Sequence, residues 1–322
     1  LVPSLKNLPL IARARSAFAA ARLDVIHFHN GRLGFIYGSI VASWLAGIPT
    51  RILTAHSPVL ERSPAQKFIE GRVLGRLHHI IAISDEIKQD LVRKKAAAAA
   101  KITVIPNGVE PAEFNPSDAE RIPARTALGL PDEGPVIGMV GRLDRLKGAD
   151  VLIRAVPLIK TKMPTLRVVL IGTGDDEKEL KGLAAQQGIS DIVLFTGYRS
   201  DARRLMHALD LLVLPSRYEG QSLSLLEAMA CGKPVVGANV GGIPGVLVDG
   251  VTGLLFPSED VATLAEAIVK LLSDPQKREI MGLAGRRRIE TCFSQATMLE
   301  RIVSLYNMPA CVGRSTTPSG RH

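Results

Sequence analysis

Residues 215–236 read Pro-Ser-Arg-Tyr-Glu-Gly-Gln-Ser-Leu-Ser-Leu-Leu-Glu-Ala-Met-Ala-Cys-Gly-Lys-Pro-Val-Val. The apolar run Leu211–Leu214 enters this stretch as a strand, a polar loop follows, then a short helix, then a second strand at Pro234–Gly237. Glu219 and Glu227 stand eight positions apart. One continuous helix would separate them by about 12 Å, too far to share a small ligand group. Gly220 breaks the backbone between them, which puts Glu219 on the loop and Glu227 inside the helix. Loops that follow parallel strands are where open α/β sheets bind ligands.

Working outward, apolar runs alternate with helical stretches along most of the chain. In the first third the helices read as Leu1–Arg22, Gly34–Gly47 and Pro64–Leu77. The strands read as Asp24–Phe28, Arg51–Ala55, His79–Ile83 and Ile102–Pro106, and Ser84 is an N-cap. Glu110–Pro131 holds Pro111, Pro116, Pro123 and Pro131, with Phe114 as a packing anchor, and reads as the domain junction. Alternation restarts at Val136–Val140 and continues through strands at Leu166–Ile171, Ile192–Thr196 and Leu211–Leu214, with helices at Ala149–Lys162, up to Gln187, and Ser200–Leu209. Two short apolar runs, Val246–Val248 and Thr252–Phe256, flank Asp249-Gly250. Three helices close the chain at Val261–Leu272, Gln276–Thr291 and Ser294–Asn307. Such alternation specifies α/β architecture with parallel sheets. The expected division is 1–118, 119–293, a helix at 294–308, and a Ser/Thr/Gly/Pro-rich tail at 309–322 expected to be disordered. The run Ala96–Ala100 carries no chemistry and reads either as a helix extension or as an accident of the sequence.

Composition narrows the function classes. The chain has 322 residues, enough for two domains. Hydrophobic residues make up 46%, yet no apolar run reaches the roughly 20 residues that span a bilayer. Cys231, Cys292 and Cys311 have no paired spacing, which argues against a metal cluster or disulfide framework and fits a reducing cytosol. Net charge is +9, of which residues 1–118 carry +6. That excess is either a solvated surface or the mark of an anionic membrane face or anionic substrate. Nucleic acid is disfavoured, because only 4% of residues are aromatic and no nucleic-acid motif is present.

The strand ends of the second half gather the candidate site. They supply Arg142 and Lys147, Gly172 and Gly174, Tyr198 and Arg199, the segment Glu219, Gly220, Gln221, Ser222 and Leu223, and Gly241-Gly242. Glycines at strand ends let backbone N–H groups approach an anion. Arg142 and Lys147 can both reach one diphosphate, the guanidinium as a fork and the ammonium as a point charge. A helix starting just after Gln221 adds its N-terminal dipole. Glu227 can take vicinal hydroxyls, as acidic residues do with ribose. Any one of these residues alone would be read as a solvated loop group; their convergence on one sheet edge is the signal. His29 and His56 also end strands. Such histidines commonly hydrogen-bond loops, and the edge position of His56 favours a ligand role. His78 and His79 read as structural.

At this point the chain resembles the retaining nucleotide-sugar glycosyltransferases of family 4, which have the GT-B fold of two Rossmann-like domains. The matching pieces are Ile105-Pro106-Asn107-Gly108-Val109, Gly141-Arg142-Leu143 through Lys147-Gly148, and Leu170-Ile171-Gly172-Thr173-Gly174. To these are added Glu219-Gly220 through Glu227-Ala228-Met229-Ala230, Gly232-Lys233-Pro234-Val235-Val236, and Gly241-Gly242-Ile243-Pro244. The resemblance implies a retaining hexosyltransferase that is metal-independent and needs no cofactor beyond its nucleoside-diphosphate sugar, a UDP or GDP sugar. It implies transfer to a hydroxyl on a sugar, a lipid-linked or a small-molecule acceptor, in the cytoplasm or at the cytoplasmic membrane face. Arg142 and Lys147 match the donor-diphosphate pair, Glu227 the ribose ligand, and Glu219 the carboxylate near the transferred sugar. Gln221, Ser222 and Leu223 match the loop whose amides meet sugar and phosphate. Tyr198 and Arg199 fall where the base is held, and His56 matches a histidine beside the donor sugar. The final helix matches one that crosses back to the first domain.

Two departures stand out. Gly245 occupies a position where a glutamate is common, and about two or three strands of the first domain are expected to lie before Leu1. Competing readings are a nucleotide-sugar epimerase of the same fold and a module that binds nucleotide sugar without turnover. A Rossmann dehydrogenase is disfavoured, because neither half carries the three-glycine fingerprint on its first strand.

Overall fold

The computed structural model describes residues 8–30, 36–57, 63–94, 96–114 and 116–307. The expectations for Leu1–Asn7, Gly31, Gly34, Pro58 and the tail from Pro309 lie outside the described residues. Contacts divide the chain into two compact units, one of residues Leu1–Ile105 with Glu300–His322 and one of Pro106–Leu299.

The first unit runs α1 (Leu8–Ala20), β1 (Val25–Asn30), α2 (Tyr37–Leu45), β2 (Thr50–Ala55), α3 (Pro64–Leu74), β3 (His79–Ala82), α4 (Asp85–Arg93) and β4 (Ile102–Val104). Its four strands pair in parallel in the order β1-β2-β3-β4, with Val25 opposite Thr50 and Ile52 opposite His79. Ile40, Leu53, Leu74, Ile80, Ile87 and Leu91 form its buried core. Ser84 caps α4 as read from the sequence, accepting from the Ile87 amide at 3.3 Å. The alanine run does not extend α4. The amide of Ala96 returns to the Leu91 carbonyl at 2.9 Å and closes the helix, and Ala99–Lys101 forms a 3-10 turn into β4.

The second unit runs α5 (Arg121–Ala127), β5 (Val136–Val140), α6 (Ala149–Lys160), β6 (Arg167–Ile171), α7 (Glu177–Gln186), β7 (Val193–Gly197), α8 (Ala202–Leu205), β8 (Leu211–Leu214) and α9 (Leu223–Ala230). It continues through β9 (Val235–Ala238), α10 (Ile243–Val246), β10 (Gly253–Phe256), α11 (Val261–Leu272), α12 (Pro275–Cys292) and α13 (Gln295–Tyr306), whose last turns, from Glu300, belong to the first unit. Six parallel strands stand in the order β10-β9-β8-β5-β6-β7. Both faces are covered, which explains the unbroken apolar strands. Leu211 and Val213 pack into the core on one face with Val168 and Leu170. Leu212 and Leu214 pack into the core on the other with Val169 and Ile171.

Two segments depart from the sequence reading. The helix expected over Ser200–Leu209 shrinks to α8, followed by a 3-10 turn at Met206–Ala208. The apolar run Val246–Val248 begins within a helix, Val246 being the last residue of α10. Glu110–Pro131, read as the domain junction, contains α5, and Phe114, its expected packing anchor, is buried in the second unit's core. Arg125 on α5 is fully buried, donating to the carbonyls of Ala208, Asp132 and Gly134 and pairing with Asp210 at 3.1 Å.

Candidate active site

The strand order of the second unit reverses direction between β5 and β8. From β5 the chain proceeds outward to β6 and β7, then returns to lay β8 on β5's other side. At such a switch point the loops beyond the two strands splay apart and leave a crevice at the carboxyl edge. The β5 loop, Gly141–Gly148, and the β8 loop, Pro215–Ser222, flank that point. Nearly every candidate residue read from the second half stands on this edge.

The β5 loop closes in a 3-10 turn at Arg145–Lys147, whose cap is Asp144; its side chain accepts from the Lys147 amide at 3.2 Å. Asp144 also pairs with Arg142 at 3.0 Å, so one carboxylate ties the backbone of one cation to the side chain of the other. Gly148 follows at φ +70, and a Cβ there would sit 2.0 Å from the Pro215 carbonyl oxygen. Only glycine permits the β5 loop to lie this close to the β8 loop. Across the gap, Lys147 Nζ donates to Glu219 Oε2 at 2.6 Å. The Glu219 side chain is 9% exposed and that of Lys147 is 21% exposed. The Glu219 carbonyl accepts from the Gly242 amide at 2.8 Å, which fixes the β9 loop beside it.

Glu219 and Glu227 are arranged as their separation requires. Glu219 is on the loop, Ser222 caps α9 by accepting from the Leu225 amide at 3.4 Å, and Glu227 lies one turn into the helix. The amides of Leu223 and Ser224 open α9 and have no acceptor within it. Among the described residues the Glu227 carboxylate makes no hydrogen bond or ion pair. Burial pushes its pKa up, opposed by the charge of Arg203. The Gln221 side chain is engaged, its Oε1 accepting from the Asn107 amide at 2.6 Å.

On the other side of the β5 loop, Gly141, Arg142, Gly172, Thr173, Tyr198 and Arg199 line a cleft of about 270 Å³. Gly172 has φ +138 and its Cβ would meet the Gly141 carbonyl at 1.9 Å, so the β5 and β6 loops touch through backbone alone. Gly174 packs in the same way against the Leu143 carbonyl. Tyr198 is 77% exposed, and Arg199 forks onto both oxygens of Asp201 at 2.7 Å. A larger cavity of about 850 Å³ lies between α6 and α7 and is also lined by Asp144, Arg145 and Arg217, but not by Lys147 or Glu219.

His56 belongs to the first unit. It follows β2, and its Nε2 lies 3.2 Å from Nδ1 of His29 at the end of β1. Burial, then His29, lowers its pKa below the usual histidine value. His27, which the sequence reading passed over, lies with its ring 4.3 Å from that of His29, tilted by 32°. It holds Tyr306 of α13 at 2.7 Å and Thr54 at 2.8 Å. Asp144 and Arg217 were missed as well. The signal for Asp144 was present, an Asp three residues before the Lys of a turn. Arg217 had none, since its partner Asp150 is 67 residues distant.

Paired cations, free helix-terminal amides and backbone-lined clefts at a switch point define a site for a phosphorylated ligand in an α/β protein. The sequence matches the family glycosyl transferases group 1 over residues 120–288 and glycosyltransferase family 4 over residues 3–113. The chain belongs to this glycosyltransferase family, and its two parallel-sheet units are those of the GT-B fold. It is 36% identical over 298 residues to a D-inositol 3-phosphate glycosyltransferase of Stackebrandtia nassauensis, covering 83% of this chain and 64% of that protein. It is 33% identical to the Actinosynnema mirum protein of that name, covering 84% and 69% respectively. The chain thus spans a little under two thirds of the first of these relatives. Among solved structures it is similar to Anabaena HepE in complex with UDP, at 26% identity and a TM-score of 0.83, covering 92% of this chain and 81% of that one.

Proposed function

We propose that the protein transfers a hexosyl group from a nucleoside-diphosphate sugar to a hydroxyl acceptor, with retention of anomeric configuration. The observation that carries this reading is the Lys147–Glu219 pair spanning the switch point, with Arg142 beside it. The two cations hold the donor diphosphate. The Leu223 and Ser224 amides add to the same anion, Glu227 takes the ribose diol, and the cleft beside Tyr198 and Arg199 takes the base. Structures of HepE with UDP and with UDP-glucose support uridine as the base to test first.

The mechanism follows from charge. The bond between the anomeric carbon and the β-phosphate oxygen breaks while the acceptor oxygen bonds to the same face. The acceptor's proton passes to the departing phosphate oxygen. Negative charge grows on the diphosphate, where Arg142 and Lys147 stand, so stabilisation is greatest in the transition state. Two fixed cations can carry this role without a divalent metal. Glu219 is held by Lys147 at 2.6 Å, which suits a carboxylate that orients the sugar and steadies positive charge better than one that attacks carbon. His56 is assigned to the donor sugar on the family resemblance.

Calorimetric titration with UDP, and with UDP-glucose plus inositol phosphate, tests the reading. Arg142→Ala and Lys147→Ala should each weaken UDP binding at least 30-fold, about 2 kcal/mol for a charge-assisted contact, with melting temperature little changed for Arg142→Ala. Affinity within a few-fold of wild type in both variants would sink the site. UDP release without acceptor dependence would sink the transferase assignment.

A further inference from the structure

The chain's excess charge lies entirely in the first unit. Residues 1–105 and 300–322 hold 18 Lys and Arg against 7 Asp and Glu, a net +11, whereas residues 106–299 hold 22 against 24, a net −2. Part of this charge surrounds an uncovered helix. Ser63 opens α3 with a capping box, and residues 64–69 that follow are exposed one after another. Only the later half of α3 is anchored, through Glu70, Val73 and Leu74. The uncovered half carries Phe68, 62% exposed, and Ile69, 47% exposed.

Cations frame these apolar groups. The Arg72 guanidinium lies 4.6 Å over the Phe68 ring, and Arg76 lies 3.9 Å over the half-exposed Trp44 of α2. Lys67, Phe68, Gly71 and Arg72 form one wall of a groove of about 590 Å³, and Arg93 and Lys94 at the end of α4 form the other. The acidic groups nearby offset only part of this charge, one Asp90 carboxylate being shared by two of the cations. Asp90 meets both Arg93 and Lys94, at 3.1 and 3.0 Å. Glu70 is buried and accepts from the Tyr37 hydroxyl.

We propose that this face, the exposed half of α3 with the end of α4, docks the protein on an anionic lipid bilayer. Phe68 and Ile69 enter the headgroup boundary, and Lys67, Arg72, Arg93 and Lys94 meet the lipid phosphates. The pattern has the two signals that reversible membrane attachment needs, apolar side chains at the tip and cations around them. Charge selects this occupant over a second copy of the chain, because two-fold pairing would set one cationic face against another.

Co-flotation of the full chain with vesicles tests the proposal. It should float with vesicles of phosphatidylcholine and phosphatidylglycerol in equal parts, not with phosphatidylcholine alone, and salt should release it. A cation near an anionic surface is worth about five-fold in partition, so K67E/R72E should lose at least 25-fold. Phe68→Ala should weaken partition at unchanged melting temperature, since the ring is exposed. Lys178→Glu, one such charge reversal at an exposed lysine of the second unit, should leave partition within two-fold. Equal partition into neutral vesicles, no partition at all, or wild-type partition by K67E/R72E overturns the proposal. So does a Phe68→Ala variant whose only change is loss of a concentration-dependent oligomer in sedimentation.

Discussion

The carboxylate of Glu227 is half-buried and unpaired among the described residues, while that of Glu219 is nearly buried and paired with Lys147. The two therefore respond differently to substitution. Burial raises the Glu227 pKa above its unfolded value. Its contribution to stability is complete below the unfolded pKa and is lost as pH rises through the folded value, so at neutral pH the ionised group works against the fold. Glu227→Gln should raise the urea midpoint of the unliganded protein at neutral pH and leave it unchanged in mild acid. The same change should weaken UDP binding about ten-fold or more, through loss of a charge-assisted grip on the ribose diol. A variant that binds UDP as wild type does, or whose midpoint falls at neutral pH, would show that Glu227 is a structural group. The separation of the two glutamates by Gly220 was legible in sequence because glycine and an N-cap serine punctuate the chain locally. The Lys147–Glu219 contact was not, because 72 residues intervene and only the sheet order brings them together.

At the scale of elements, the site depends on how two loops are joined. Arg217 makes that joint. Its amide donates to the Leu146 carbonyl at 2.8 Å, and its guanidinium donates to the Arg145 carbonyl at 2.8 Å. It also grips both oxygens of Asp150, at 2.7 and 2.8 Å, in the first turn of α6. Burial alone would raise the Asp150 pKa, but Arg217's hydrogen bonds and charge outweigh it and hold the carboxyl below the usual range. Arg217 sits two residues before Glu219, and the turn it holds ends in Lys147. Arg217→Ala should therefore lower stability by roughly 1–3 kcal/mol and raise the UDP dissociation constant about ten-fold without touching the ligand. Arg217→Lys should recover stability better than affinity, because an ammonium cannot fork onto Asp150 while holding the Arg145 carbonyl. Unchanged UDP affinity in the alanine variant, measured where it is still folded, would refute the link. The strands were readable as continuous apolar runs because helices cover both faces of the sheet. Helix ends were less so. The end of α4 is set by a return of Ala96 to Leu91 that alanine propensity does not foretell, and the break after α8 has no glycine or proline to announce it.

At the scale of the whole molecule, the two units should answer acid separately. Four histidines of the first unit are held below their usual pKa. His27 is pushed down to about 4 by burial, then by His29 and His56; His78 is pushed down to about 4 by burial, then by Arg51, Lys101 and His79. His56 and His79 are lowered as well, burial again first. Hydrogen bonds accompany the lowered values: His78 Nδ1 accepts from the Arg51 amide at 3.0 Å, and His27 is held between Tyr306 and Thr54. A depressed histidine contributes stability that is present above its unfolded pKa of 6.5 and is lost as pH falls toward the folded value, here about 4. In the second unit, His207 is the described histidine so shifted, and its carboxylates with lowered pKa, Asp150 among them, lose their contribution only below the ordinary range for aspartate. Unfolding of a two-unit chain need not be a single transition, and the sequence supplies a reporter: Trp44, its one tryptophan, lies on α2 of the first unit. Between about pH 7.5 and about pH 5, the urea midpoint followed by Trp44 fluorescence should fall markedly. The later transition seen in far-ultraviolet circular dichroism, carried by the second unit's helices, should move much less. Tyr306→Phe should flatten the fluorescence shift, since losing a hydroxyl that fixes neutral His27 brings its folded pKa back toward the unfolded value. Equal displacement of both transitions, or a fluorescence midpoint independent of pH in this window, would mean that the imidazoles of the first unit do not govern its stability.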